Sequence, residues 1–181
     1  YYHMPFNLRK LKRCYTKWQK QLDGKGWNML YIENHDHPRM VSRYGSDKFQ
    51  KESAMMLAVS YLFQKGTPFI YQGQEIGMTN YPFKSEKEFN DVNAKTLLSL
   101  ASSDEERLKV LKKLLIESRD NARTMMQWNG SINAGFSEEK PWFVVNRNYH
   151  YVNTESELLQ PDSCLNEYKK IIALRKSDID T

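Results

Sequence analysis

Cysteine is scarce in this sequence: Cys14 and Cys164 are the only two in 181 residues, far apart and outside any CxxC spacing. That excludes a disulfide scaffold and a cysteine-based zinc site, and both thiols are expected to be reduced. No apolar run approaches the ~20 residues needed to cross a bilayer, so no membrane partner is expected. Residues 1–20 lack the apolar stretch and small-residue cleavage site of a secretory leader, which points to a cytoplasmic location. The chain opens on Tyr1 rather than Met, so its beginning says little about location. Internal repeats and low-complexity segments are absent.

What is present is a globular composition, 40% hydrophobic and 13% aromatic, in a chain long enough for a real core. The net charge is +5. Its basic residues fall on two helical segments, Arg9, Lys10, Lys12, Arg13, Lys17 and Lys20 in one, Lys109, Lys112 and Lys113 in the other. Solvated helix faces explain that pattern, and no nucleic-acid partner is expected.

Asn7 can cap a helix in which Leu8, Leu11, Cys14, Tyr15, Trp18 and Leu22 recur at helical spacing, ended by residues 23–26. Residues 27–32 read as a buried strand, and residues 33–47 as a loop. A second helix over 53–64 carries Met55, Met56, Leu57, Val59, Tyr61, Leu62 and Phe63. So little polar face predicts packing on several sides, with Gly66 as C-cap. Residues 69–71 form a second short strand. Helix, strand, helix, strand, with polar loops after each strand, is the pattern of an α/β parallel sheet with crossover helices. Two strands do not hold a parallel sheet alone, so the chain reads as part of a larger sheet. Beyond Gly77 the regularity breaks. Residues 81–93 read as loop, Ser103 and Glu106 form a capping box for a helix to about Arg119, and residues 121–153 read as a long loop. Residues 163–176 close with a helix.

The polar cluster Asn34-His35-Asp36-His37-Pro38-Arg39 follows the first strand directly. Parallel α/β barrels carry their chemistry at the C-terminal ends of strands. One loop thus offers a carboxylate, two imidazoles, an amide and a guanidinium, a set suited to a polyhydroxyl ligand. Asp36 beside His35 and Arg39 can stabilise a developing oxocarbenium ion. His35 can donate to a sugar hydroxyl; the bland alternative is an imidazole bonded to a backbone carbonyl. Adjacent residues rarely aim every side chain at one ion, so no metal is expected. A second cluster, Arg119-Asp120-Asn121-Ala122-Arg123, offers guanidinium groups for a carboxylate or vicinal hydroxyls, or an ion pair that holds the long loop. Tyr71-Gln72-Gly73-Gln74-Glu75 is a third polar strand end, read as mainly structural.

These motifs resemble the α-amylase superfamily. The carriers are Gly26-Trp27-Asn28, the 34–43 segment Asn-His-Asp-His-Pro-Arg-Met-Val-Ser-Arg, and Gly66-Thr67-Pro68-Phe69-Ile70-Tyr71-Gln72-Gly73 continuing through Glu75-Ile76-Gly77-Met78-Thr79-Asn80. Ser118-Arg119-Asp120-Asn121-Ala122-Arg123-Thr124, Met126-Gln127-Trp128 and Asn133-Ala134-Gly135-Phe136 narrow the resemblance to the oligo-1,6-glucosidase branch. That branch also holds dextran glucosidase, trehalose-6-phosphate hydrolase and isomaltulose synthase. The resemblance implies a (β/α)8 barrel of which residues 1–181 are the C-terminal portion: sixth helix, seventh strand, seventh helix, eighth strand, a loop insertion over 78–160, and eighth helix. It implies a retaining glycosidase acting on oligosaccharides. Asp36 would be the transition-state stabiliser, with His35, Arg39, Arg119, Arg123 and Asn93 binding substrate. The family's nucleophile, general acid and calcium loop would lie outside these residues, so the chain alone is expected to be inactive and without cofactor. Exposed barrel edges would favour self-association. The resemblance leaves isomaltulose synthase and trehalose-6-phosphate hydrolase as alternatives. A non-catalytic carbohydrate-binding module is the rival from another class. Gln74, Met125 and Asn129 stand where the family usually has Glu, Pro and Asp, and Asn93 stands where it often has Glu.

Overall fold

The computed structural model describes residues 7–177, so the domain expected over 1–181 extends past the described residues at both ends. Helix α1 (Leu8–Leu22) starts as its cap predicts: the Asn7 side-chain oxygen accepts from the Lys10 N–H at 3.1 Å. Its apolar stripe buries nothing fully, and Trp18 is half exposed. Strands β1 (Met29–Leu30) and β2 (Thr67–Pro68) pair in parallel, Met29 opposite Thr67 and Leu30 opposite Pro68.

Both strands are shorter than expected, and β2 lies before residues 69–71 rather than on them. The ladder explains this. It runs from the Thr67 N–H to the Asn28 carbonyl and from the Phe69 N–H to the Leu30 carbonyl, both at 2.8 Å, and Pro68 donates nothing. Neither strand has another partner among the described residues, so the apolar residues on either side remain outside the ladder. Gly66 adopts φ +148°, and a Cβ there would stand 2.6 Å from the Asn28 carbonyl oxygen. It is therefore the glycine that lets β2 approach β1, not the expected C-cap, a position held by Phe63.

The expected 33–47 loop contains a short helix, α2 (Met40–Tyr44). Helix α3 (Gln50–Leu62) buries Ala54, Leu57, Ala58, Tyr61 and Leu62 against α7 (Cys164–Ser177), which contributes Cys164, Tyr168 and Ile171. Packing on several sides is not observed: Met56, Val59 and Phe63 lie exposed on the opposite face. Arg175 of α7 donates to the carbonyls of Leu62, Gln64 and Gly66, satisfying orphan acceptors beyond the C-terminal end of α3.

A second core sits inside residues 78–160. It is built from Phe83, Phe89, Ala94, Leu98 and Leu114. Helix α4 (Val92–Ser99) was not expected; the Asp91 carboxylate caps it by accepting from the Asn93 N–H at 3.1 Å. Helix α5 (Asp104–Glu117) starts at Ser103, whose hydroxyl accepts from the Glu106 N–H at 3.2 Å. The returning bond of the capping box is shifted by one residue: Glu106 accepts from the N–H and hydroxyl of Ser102. The long loop after α5 is a chain of 3₁₀ turns, Arg119–Ala122, Ile132–Gly135 and Arg147–His150, closed by the short helix α6 (Thr154–Leu159). Among the described residues, no helix is long and apolar enough to cross a membrane.

Candidate active site

Asp36 sits in the turn after β1, half exposed, with its carboxylate gripped from the 3₁₀ turn that follows α5. Its Oδ1 accepts from Arg119 Nη1 at 3.3 Å and from Arg123 Nη2 at 3.1 Å. Its Oδ2 stands 3.4 Å from His35 Nε2, on an imidazole that is largely open to solvent. The Asn34 side chain fixes the turn by accepting from the Asp36 N–H at 2.8 Å. Two guanidinium groups beside one carboxylate hold it in its charged form while leaving room for a ligand. The structure thus brings together Asp36, His35, Arg119 and Arg123, which are widely separated in sequence.

Arg119 is itself held by a residue that reading the sequence did not place in the site. Asp91 accepts from Arg119 Nε at 2.9 Å and Nη2 at 2.5 Å, a bidentate pair on a carboxylate that is nearly buried. Burial alone would raise the Asp91 pKa, but Arg119, the Asn93 N–H and Arg123 outweigh it and hold the carboxyl below the usual range. The Asp91-Val92-Asn93 segment does carry a cap signal, and that signal concealed the second use of the same carboxylate. Asp120, buried beneath, accepts from the N–H groups of Asn90 and Asp91 at 2.7 and 2.9 Å, so the turn and the α4 cap share one anchor. Asn93 is exposed beside them, on a small cleft it shares with Leu97 and Arg119.

Arg39 is a correction. Expected to bind substrate, it has no exposed surface. Its Nη1 donates to Glu33 Oε1 at 2.6 Å and to the Gln72 carbonyl at 2.7 Å, and its Nη2 to the Ala122 carbonyl at 3.4 Å. Glu33 also accepts from the Met40 N–H at 2.8 Å. Burial pushes the Glu33 carboxyl up, opposed first by Arg39. A guanidinium enclosed in this way touches no sugar. It ties β1, the loop after β2 and the Arg119–Ala122 turn together, helped by the Tyr71 hydroxyl, which donates to the same Ala122 carbonyl at 3.0 Å.

The unusual residues of the third polar segment have physical consequences. Buried Gln74 donates through Nε2 to both the Tyr61 and Tyr168 hydroxyls, at 2.7 and 3.0 Å. Burial pushes the Tyr61 phenol up to about 12 and Tyr168 well above its ordinary value. Met125 donates its N–H to the Val144 carbonyl at 3.2 Å, a bond no proline makes. Glu75 is half-buried, and its Oε2 has no hydrogen-bond partner among the described residues. Burial raises its carboxyl above the ordinary value, only partly opposed by the backbone N–H groups of Glu75 and Gly73. No group of three or more His, Cys, Asp or Glu among the described residues is arranged to hold a metal.

The sequence pattern of the alpha amylase catalytic domain matches residues 1–180, and the chain belongs to that family, whose catalytic domain is a (β/α)8 barrel. Within it, the chain is similar to enzymes of the oligo-1,6-glucosidase kind. The oligo-1,6-glucosidase of Parageobacillus thermoglucosidasius is 48% identical over 175 residues, covering 95% of this chain and 31% of that protein. The glucan 1,6-alpha-glucosidase of Streptococcus pneumoniae is 41% identical, covering 98% and 34%. Among solved structures, the trehalose-6-phosphate hydrolase of Bacillus licheniformis is 43% identical with a TM-score of 0.89, covering 98% of this chain and 32% of that one. The isomaltulose synthase of Klebsiella sp. LX3 is 41% identical with a TM-score of 0.89, covering 96% and 32%. The chain spans about a third of the length of these relatives.

Proposed function

We infer that this chain is the C-terminal portion of the barrel of a retaining α-glucosidase that hydrolyses short α-glucosides, α-1,6-linked isomalto-oligosaccharides foremost. In this reading β1 and β2 are the seventh and eighth strands, α1, α3 and α7 the sixth, seventh and eighth helices, and residues 78–160 a loop insertion beside the site. The observation that carries it is the Asp36 carboxylate, accessible, fixed by Arg119 and Arg123, and placed directly after a parallel strand.

In a retaining mechanism one carboxylate attacks the anomeric carbon while a carboxylic acid protonates the leaving oxygen, and water later releases the sugar. Those two groups belong to the part of the relatives that this third does not match. Asp36 contributes a fixed negative charge near the anomeric centre, where positive charge develops. His35 reaches a hydroxyl of the same ring, and Arg119 closes the pocket around the non-reducing glucose. Asn93, at the rim, contacts the sugar on the leaving side. The reaction requires no cofactor from these residues.

The similarity to isomaltulose synthase and trehalose-6-phosphate hydrolase supports a second reading, in which the same site serves sucrose isomerisation or a phosphorylated disaccharide. A non-catalytic carbohydrate-binding module remains the rival. One experiment separates them. Residues 1–181 replace the matched segment of the Parageobacillus relative, and the chimera is given isomaltose, sucrose and trehalose 6-phosphate. Hydrolysis of isomaltose by the chimera, with none by the 181-residue chain alone, supports the proposal. A folded chimera that binds isomaltose in calorimetry without turnover contradicts it and favours the module.

A further inference from the structure

Beside the Asp36 site runs a groove of about 530 Å³ that none of the assigned roles uses. Its volume lies within the range of small-ligand sites. One wall is Phe89 and Asn90; the other is the segment from Lys140 to Val145, with Trp142 at its lip and Lys95 across from it. Trp142 is 65% exposed. It is nonetheless a firm platform. Its ring stacks on Phe143, 5.5 Å between centroids and 22° between planes, and Phe143 lies against Phe83, which packs on Phe89 in the second core.

The loop that presents Trp142 is pinned. Asn133 donates through Nδ2 to the carbonyls of Ser137 and Glu139, at 2.9 and 3.0 Å. Asn133 and Ala134 both adopt left-handed backbone, φ +52° and +59°, and the Ala134 carbonyl accepts from the N–H groups of Trp128 and Asn129. Such conformations persist only where the surroundings over-determine them. The opposite wall is equally fixed, because Asp120 holds the Asn90 and Asp91 N–H groups and Asp91 holds Arg119. The groove and the Asp36 clamp therefore share one rigid segment.

We propose that this groove is an outer subsite for the leaving-group end of a neutral gluco-oligosaccharide, with Trp142 as its stacking platform. A pyranose ring has an apolar C–H face and a rim of hydroxyls. The exposed indole suits the face, and the Asn90 amide and the Lys95 and Lys140 ammonium groups suit the rim. Placement one residue from the anchor of Arg119 aligns the groove with a chain leaving the pocket. The catalytic consequence rests on the proposed glucosidase function; binding at Trp142 does not.

Two measurements test it. The 181-residue chain carrying 5-fluorotryptophan is titrated with isomaltotriose, and the Trp142 fluorine resonance is assigned with Trp142→Phe. A saturable shift of that resonance with Kd on the order of millimolar is expected, with Trp18 and Trp27 unmoved. In the chimera, Trp142→Ala is expected to raise KM for isomaltotriose roughly fivefold to tenfold, the loss of one aromatic contact, with kcat on p-nitrophenyl α-glucoside unchanged. An unshifted Trp142 resonance, an unchanged KM in the variant, or preferential binding of a phosphorylated disaccharide at Trp142 would overturn it. If the chimera is inactive, the glucosidase reading fails and the fluorine titration alone decides the groove.

Discussion

At the scale of single residues, the candidate site divides into groups that face a ligand and groups that hold them. Asp36, His35, Arg119 and Arg123 were legible because an ionisable cluster after a short apolar run rarely arises for packing alone. The role of Arg39 was not legible, since burial is set by residues distant in sequence: Gln72 and Ala122 supply carbonyls that enclose it. Removing one partner of a buried pair leaves the other uncompensated, so Arg39→Ala is expected to cost about 3–5 kcal/mol in urea unfolding of the 181-residue chain. A loss below about 1 kcal/mol would place the pair among weak surface contacts. Glu75 provides a pH test. Its folded pKa is raised, so the unfolded chain gives up this proton first, and stability falls as pH climbs from the ordinary glutamate value to the folded one. Glu75→Gln removes that penalty. Its urea midpoint is expected to rise at neutral pH and to match the parent chain below about pH 4, where both states are protonated.

At the scale of elements, caps were the most readable feature. Asn7 and Ser103 each accept the backbone N–H three residues on, as their types and positions predict. Ser103→Ala is expected to destabilise α5 by about 1 kcal/mol, read from the urea midpoint, while Ser102→Ala tests the shifted return bond from Glu106 separately. Strand lengths were less readable, because a parallel ladder reflects neighbours that a local apolar run does not contain. Residues 27–32 and 69–71 are apolar enough for longer strands, yet the pairing stops at two residues on each side. Helix α4 was missed because Val92, Ala94, Leu97 and Leu98 make a stripe too short to stand out, and its core partners Phe83 and Leu114 lie on other elements. The polar loop from 121 to 153 has no periodicity to read; side-chain amides such as Asn121, Asn133 and Asn146 replace the missing secondary structure.

At the scale of the whole molecule, two small cores flank the Asp36 clamp, and a two-stranded parallel sheet lies at one side with apolar residues exposed around it. Trp27, Met29, Tyr31, Phe69 and Ile70 are each exposed beside strands with no further partner among the described residues. Such edges and patches recruit other chains. The 181-residue chain is expected to self-associate with rising concentration in sedimentation velocity, and the chimera, whose other strands would cover these edges, to remain a single species. A monomeric chain at every concentration would show that the edge is protected in another way. The central claim concerns Asp36 as the charge that stabilises the transition state, and its most direct test is kcat of the Asp36→Asn chimera on isomaltose. Loss of one preorganised electrostatic group predicts a fall of about 10²–10³-fold or more with the circular dichroism spectrum and melting unchanged. A kcat close to that of the unsubstituted chimera would contradict the account.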